Sequence, residues 1–72
     1  MKKIVSIEGM TCAHCVAHVT KALSGVAGVS KVNVDLKKAR AELEAEGDLD
    51  AHLRAAVTEA GYDVTTIQTL RA

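Results

Sequence analysis

Val5 and Ile7 alternate with Ser6 and Glu8, and the run stops at Gly9, which predicts a short strand with one apolar face. Val16, Val19, Leu23 and Val26 then recur at helical spacing, one side of a helix of about three turns that Gly25 and Gly28 close. Val32, Val34 and Leu36 alternate with Lys31, Asn33 and Asp35 as a second strand. A polar turn at Lys37 and Lys38 leads into Ala39, Ala41, Leu43 and Ala45, a third strand paired to the second as a hairpin. Gly47 interrupts this pattern, and Asp48 is the predicted N-cap of a second helix whose buried face is Leu49, Leu53, Ala56, Val57 and Ala60. Gly61 stands where a helix C-cap belongs, and a last strand runs from Tyr62 towards Leu70. The order β-α-β-β-α-β predicts an α+β ferredoxin-like sandwich, a four-stranded antiparallel sheet with two helices on one face, as a single domain over residues 1–72.

Composition sharpens the picture in two ways. With no Trp, no Phe and one Tyr, the core is built from aliphatic side chains, and a domain this small gains only a few kcal/mol from such a core. Nine basic and nine acidic residues cancel, which removes the electrostatic case for nucleic-acid binding. The charge is unevenly spread. Residues 1–38 hold six lysines against Glu8 and Asp35, a net +4, and residues 39–72 hold three arginines against seven carboxylates, a net −4. Such a dipole orients a protein partner if it survives folding, and vanishes if the two halves interleave in space. The basic start Met-Lys-Lys has no apolar run behind it before Glu8, so neither export nor a membrane span is expected. The expected setting is cytoplasmic, where thiols stay reduced.

The chemistry concentrates in Gly9-Met10-Thr11-Cys12-Ala13-His14-Cys15, between the first strand and the first helix. Two intervening residues let both sulfurs converge on one ion as the chain turns into the helix. Cys15 belongs to the first helical turn, where unpaired backbone N–H groups and the positive dipole end favour thiolate over thiol. Two soft sulfurs with no further obvious ligand suit a soft ion of low coordination number, Cu(I) above all. Structural zinc takes four ligands, and there is no second cysteine pair.

Gly-Met-Thr-Cys-Ala-His-Cys followed by Val16 and Val19, together with Gly61-Tyr62-Asp63-Val64, resembles the heavy-metal-associated domain family over nearly the whole chain, in particular its bacterial cytosolic copper chaperones. The resemblance implies Cu(I) bound by Cys12 and Cys15, Tyr62 near the metal loop, and transfer of the ion to a copper-transporting P-type ATPase. A copper-responsive regulator and a second copy bridged by copper are further candidate partners. Thr11 fits the copper members, since zinc- and cadmium-handling relatives often carry an acidic residue beside the motif.

The neighbours of the motif have plainer readings. Met10 can be a thioether ligand, but a methionine flanking a loop is expected to plug the core. Tyr62 either fills space or brings its hydroxyl to the sulfurs. His14 is expected to tune the cysteines rather than ligate. His18 makes i,i+3 and i,i+4 pairs with Cys15 and His14, yet falls on the exposed side of the helix, and His52 reads as a surface residue. The acidic run from Glu42 to Asp50 reads as a solvated strand edge. The expected function is therefore carriage, not catalysis. Alternatives are a metal-binding domain excised from a copper ATPase, which the Met1 start argues against, a carrier of Hg or Zn, and a thiol–disulfide oxidoreductase, which lacks a thioredoxin-like Trp-Cys-Gly-Pro-Cys setting.

Overall fold

The computed structural model describes residues 1–70. The elements follow the predicted order: β1 Lys2–Glu8, α1 Ala13–Ser24, β2 Val29–Asp35, β3 Arg40–Ala45, α2 Asp50–Glu59 and β4 Asp63–Leu70. The strands form one antiparallel sheet in the order β2-β3-β1-β4, so β1 lies inside the sheet and β2 and β4 are its edges.

Alternation decides which side of the sheet is covered. Val5 and Ile7 of β1 and Ala41, Leu43 and Ala45 of β3 point to the same side, where they meet Val19 and Leu23 of α1 and Leu53 and Val57 of α2 in one buried cluster. Both helices therefore lie on one face. Full burial of each large aliphatic side chain contributes about 1.5–3 kcal/mol before chain entropy is counted. The opposite face carries Lys2, which pairs with Glu42 at 3.3 Å, while the terminal ammonium stands 3.9 Å from Glu44. Basic residues of the first half of the chain thus interleave with acidic residues of the second.

Several boundaries differ from the periodic reading, each for a local reason. Val26 falls beyond α1, which ends at the C-cap Gly25. Leu36 and Ala39 leave their strands for the hairpin turn: the Ala39 amide donates to the Leu36 carbonyl at 3.2 Å, and Ala39 takes φ 51. The N-cap of α2 is Leu49, not Asp48. The Asp48 carboxylate still accepts the Asp50 amide at 3.3 Å, so it closes the turn before the helix without occupying the cap position. Lys3 is a fourth departure. It shares the core-facing side of β1 and is only 2% exposed, held by Asp50 at 2.9 Å and Thr69 Oγ1 at 2.6 Å.

Candidate metal centre

Gly9 ends β1 with φ +99, a left-handed conformation that glycine adopts at little cost and that swings the chain out of the sheet plane. Cys12 then occupies the N-cap of α1 in an extended conformation. Its carbonyl accepts the amides of Cys15 at 3.1 Å and Val16 at 3.3 Å, so the backbone, not the side chain, starts the helix. The Cys12 sulfur is left free to turn towards Cys15, and the two Sγ atoms stand 3.4 Å apart. Both thiols are free, Cys12 exposed and Cys15 half-buried. The first turn of α1 contains no acidic residue, so nothing competes with a thiolate for the positive end of the helix.

The other side of the site is built by the end of α2. The Gly61 amide donates to Thr58 O at 3.0 Å and the Tyr62 amide to Val57 O at 3.1 Å, the paired bonds of a Schellman motif, with Gly61 at φ +99. This turn delivers Tyr62 to the metal loop. Its ring edge lies 3.4 Å from where a β-carbon on Gly9 would stand, so the glycine also makes room for the aromatic ring.

These neighbours act on Cys15. Its pKa is lowered from 9.0 to about 6, first by the backbone amide of Thr11, then by the Tyr62 hydroxyl and the Cys12 side chain, with partial burial opposing. The Thr11 hydroxyl also stands 3.9 Å from the Cys15 sulfur. The Tyr62 pKa is raised in turn, chiefly because its hydroxyl is engaged with Cys15 and would lose that bond on ionising.

Of the residues singled out in the sequence, Cys12, Cys15, Thr11 and Tyr62 are brought together here. Met10 is half-buried and packs against the hydrophobic cluster, in the position of a plug. His14 is exposed, and the hydrogen-bonding neighbours of the sulfurs do not include it. His18 and His52 are exposed on their helices, His18 over the groove between α1 and α2. Among the described residues no group of three or more His, Cys, Asp or Glu side chains gathers around a common point. The contribution of the Thr11 amide is the feature that residue types could not announce, because a backbone group acts there whatever the side chain.

Comparison with known proteins agrees with this geometry. The model of the heavy-metal-associated domain matches residues 4–63. The copper chaperone CopZ of Enterococcus hirae is 38% identical over 72 residues, covering 93% of this chain and all of that protein. Two longer relatives match through a small part of their length. Copper-transporting ATPase 1 of Rhizobium meliloti is 48% identical over 81% of this chain and 7% of its own, and mercuric reductase of Shewanella putrefaciens is 43% identical over 82% of this chain and 11% of its own. Among solved structures, a CopZ metallochaperone superposes with a TM-score of 0.81 at 29% identity, covering 90% of this chain and all of that one.

Proposed function

The chain belongs to the heavy-metal-associated domain family, and on that footing we propose that it is a cytoplasmic copper(I) carrier that passes its ion to a copper-transporting P-type ATPase. The observation that carries this reading is the pair of free sulfurs 3.4 Å apart, the pKa of the Cys15 thiol lowered to about 6, with no third side-chain ligand gathered beside them among the described residues. Two thiolates meet the demand of a soft, low-coordinate ion and fall short of the four ligands of structural zinc. The ion is cargo, and the site is suited to giving it up. Because Cys12 is exposed at the helix N-cap, a thiolate of a partner can approach the bound ion and form a three-coordinate species, after which one original sulfur leaves. Tight binding and rapid transfer coexist, since the ion is never released to water. No helix among the described residues is long and apolar enough to cross a membrane.

Two other readings have specific support. Similarity to a copper-transporting ATPase fits a metal-binding domain within such a pump, where the same ligand exchange would run in the receiving direction. Similarity to a mercuric reductase fits Hg(II), which also takes two thiolates. Anaerobic titration of the reduced chain with Cu(I), Hg(II) and Zn(II) against competing chelators separates the metals. One equivalent of Cu(I) held against a strong chelator, with zinc lost, is expected. If the Cys12→Ser/Cys15→Ser chain still competed for Cu(I), the reading would fail. X-ray absorption of the copper form should show sulfur alone from the protein, and His14→Gln should leave that spectrum unchanged. A short Cu–N contribution lost in the glutamine chain would make His14 a ligand.

A further inference from the structure

Copper carriage by two sulfurs leaves two histidines of α1 without a task. His14 and His18 stand four residues apart on this helix, and both are exposed. At about 100° per residue they lie about 40° apart around the axis, one turn above the other. Both therefore share one strip of the helix, turned away from the core-facing Val19 and Leu23. On a helix, residues at this spacing have β-carbons about 5–6 Å apart. Two imidazoles sharing an ion at Zn–N bonds of about 2.0–2.1 Å bring their nitrogens to within about 3.3 Å of each other. Exposed side chains on adjacent turns reach that separation by rotation about χ1 and χ2. The same H-x-x-x-H spacing lets two histidines of one helix hold zinc elsewhere.

The surroundings leave room for this. Ala17 and Ala22, which flank the pair on the helix surface, are small. His18 also lines the groove between α1 and α2. Lys21, one turn further on, carries the charge that opposes a cation here, and Glu59 on the α2 wall of the same groove carries the opposite sign. The sulfurs are engaged with each other at 3.4 Å, and among the described residues no third His, Cys, Asp or Glu gathers with the pair.

We propose that His14 and His18 form a second metal site, separate from the thiolate pair, for a borderline divalent ion of the zinc, nickel and copper(II) class. Imidazole suits these ions as thiolate suits Cu(I). Two protein ligands leave the other coordination positions to water, so the site is open and exchangeable, unlike a closed structural zinc centre. The chain then sorts ions by ligand chemistry, a soft ion on the sulfurs and a divalent ion on the imidazoles one turn away.

Zn(II) is the probe, because it has no redox chemistry with which to attack the neighbouring thiols. Titration is followed by NMR of the histidine ring protons, with His52, exposed on α2, as the internal reference. The Cys12→Ser/Cys15→Ser chain is used, so that no sulfur competes and the result does not depend on copper carriage. Zn(II) should shift His14 and His18 together, saturate at one equivalent with Kd at or below about 0.1 mM, and leave His52 in place. His14→Gln and His18→Gln should each weaken binding by more than about tenfold, the least expected for a group that only supports a ligand. His52→Gln should leave it unchanged. All three histidines are exposed, so circular dichroism should be the same in every variant. No binding to the serine chain, equal shifts at all three histidines, or binding that survives either His14→Gln or His18→Gln would each overturn the proposal.

Discussion

Cys15 owes its acidity to groups that are close in space and scattered in sequence: the Thr11 amide, the Tyr62 hydroxyl and the Cys12 side chain. With a pKa of about 6 it is mostly thiolate at pH 7, so an arriving ion displaces little proton from it. Thiolate absorbance of the metal-free chain should therefore show a titration near pH 6. Tyr62→Phe should move that titration upward, because the second largest stabilising contact disappears; an unmoved titration would separate the tyrosine from the thiolate. The same shift couples to folding. Since the folded pKa is depressed, the stabilisation is fully present above the unfolded value of 9.0 and fades as pH falls, until it is lost on passing through about 6. Between pH 8 and pH 5 the melting midpoint of the apo chain should thus fall further than that of Cys15→Ser, and parallel profiles would contradict the shift. For the metal, Cys12→Ser or Cys15→Ser should weaken Cu(I) binding by more than the ~10–100-fold typical of groups that only support a ligand. Tyr62→Phe should stay within that range. Competition titration at fixed pH reads both, and a serine variant with undiminished affinity would show that its sulfur is not a ligand.

At the scale of elements, the periodic pattern revealed what burial dictates and missed what single contacts dictate. Val5, Ile7, Val19, Leu23, Leu43, Leu53 and Val57 are buried where alternation and helical spacing put them, because a small aliphatic core leaves each of these positions one side to face. Gly61 was legible as a C-cap for a similar reason, since a left-handed residue must end the turn that starts β4. Leu36, Ala39 and Asp48 were misplaced because hairpin and cap geometry depend on two or three hydrogen bonds that apolar periodicity does not register. Lys3 was invisible for the opposite reason. A lysine reads as exposed, yet the pleat forces it to the side of Val5, and Asp50 at the start of α2, together with the Thr69 hydroxyl, makes that position tolerable. The pair pins β1 to the first turn of α2, and its two halves should respond unequally to substitution. Asp50→Ala strands a buried ammonium, with a cost on the order of 3 kcal/mol at most. Lys3→Met removes the charge that needed compensation and leaves a carboxylate that is 42% exposed, so its cost should be clearly smaller. Urea denaturation of the two variants measures the difference, and equal losses would mean that the pair acts through packing alone.

For the molecule as a whole, the charge asymmetry along the sequence is folded away in part. β1 lies against β3, so Lys2 reaches diagonally to Glu42 and the terminal ammonium approaches Glu44, and basic and acidic residues of the two halves meet across one sheet face. At the end of the molecule that carries the cysteine loop, the Ile7 amide also ties the β2–β3 turn to the end of β1 through a 2.8 Å bond to Ala39. The sulfurs sit on the first turn of α1, Met10 is the loop's contact with the hydrophobic cluster, and both Gly9 and Gly61 hold left-handed conformations. An ion bridging Cys12 and Cys15 would cross-link the loop to the helix, and unfolding would separate the Thr11 amide and Tyr62 from the sulfur they stabilise. Binding should accordingly favour the folded chain and stabilise it by mass action, about 4 kcal/mol at a thousandfold excess over the dissociation constant. In a domain of this size each kcal/mol moves the midpoint by about 4–8 °C, so Cu(I) should raise it well beyond the spread between replicate melts. The gain should vanish in Cys12→Ser/Cys15→Ser, whose own apo fold is expected to survive because Cys12 is exposed and Cys15 only half-buried. Equal midpoints for apo and loaded protein at saturating metal would mean that the unfolded chain binds copper as well as the native loop does, and that the geometry built around Cys15 does not contribute to holding the ion.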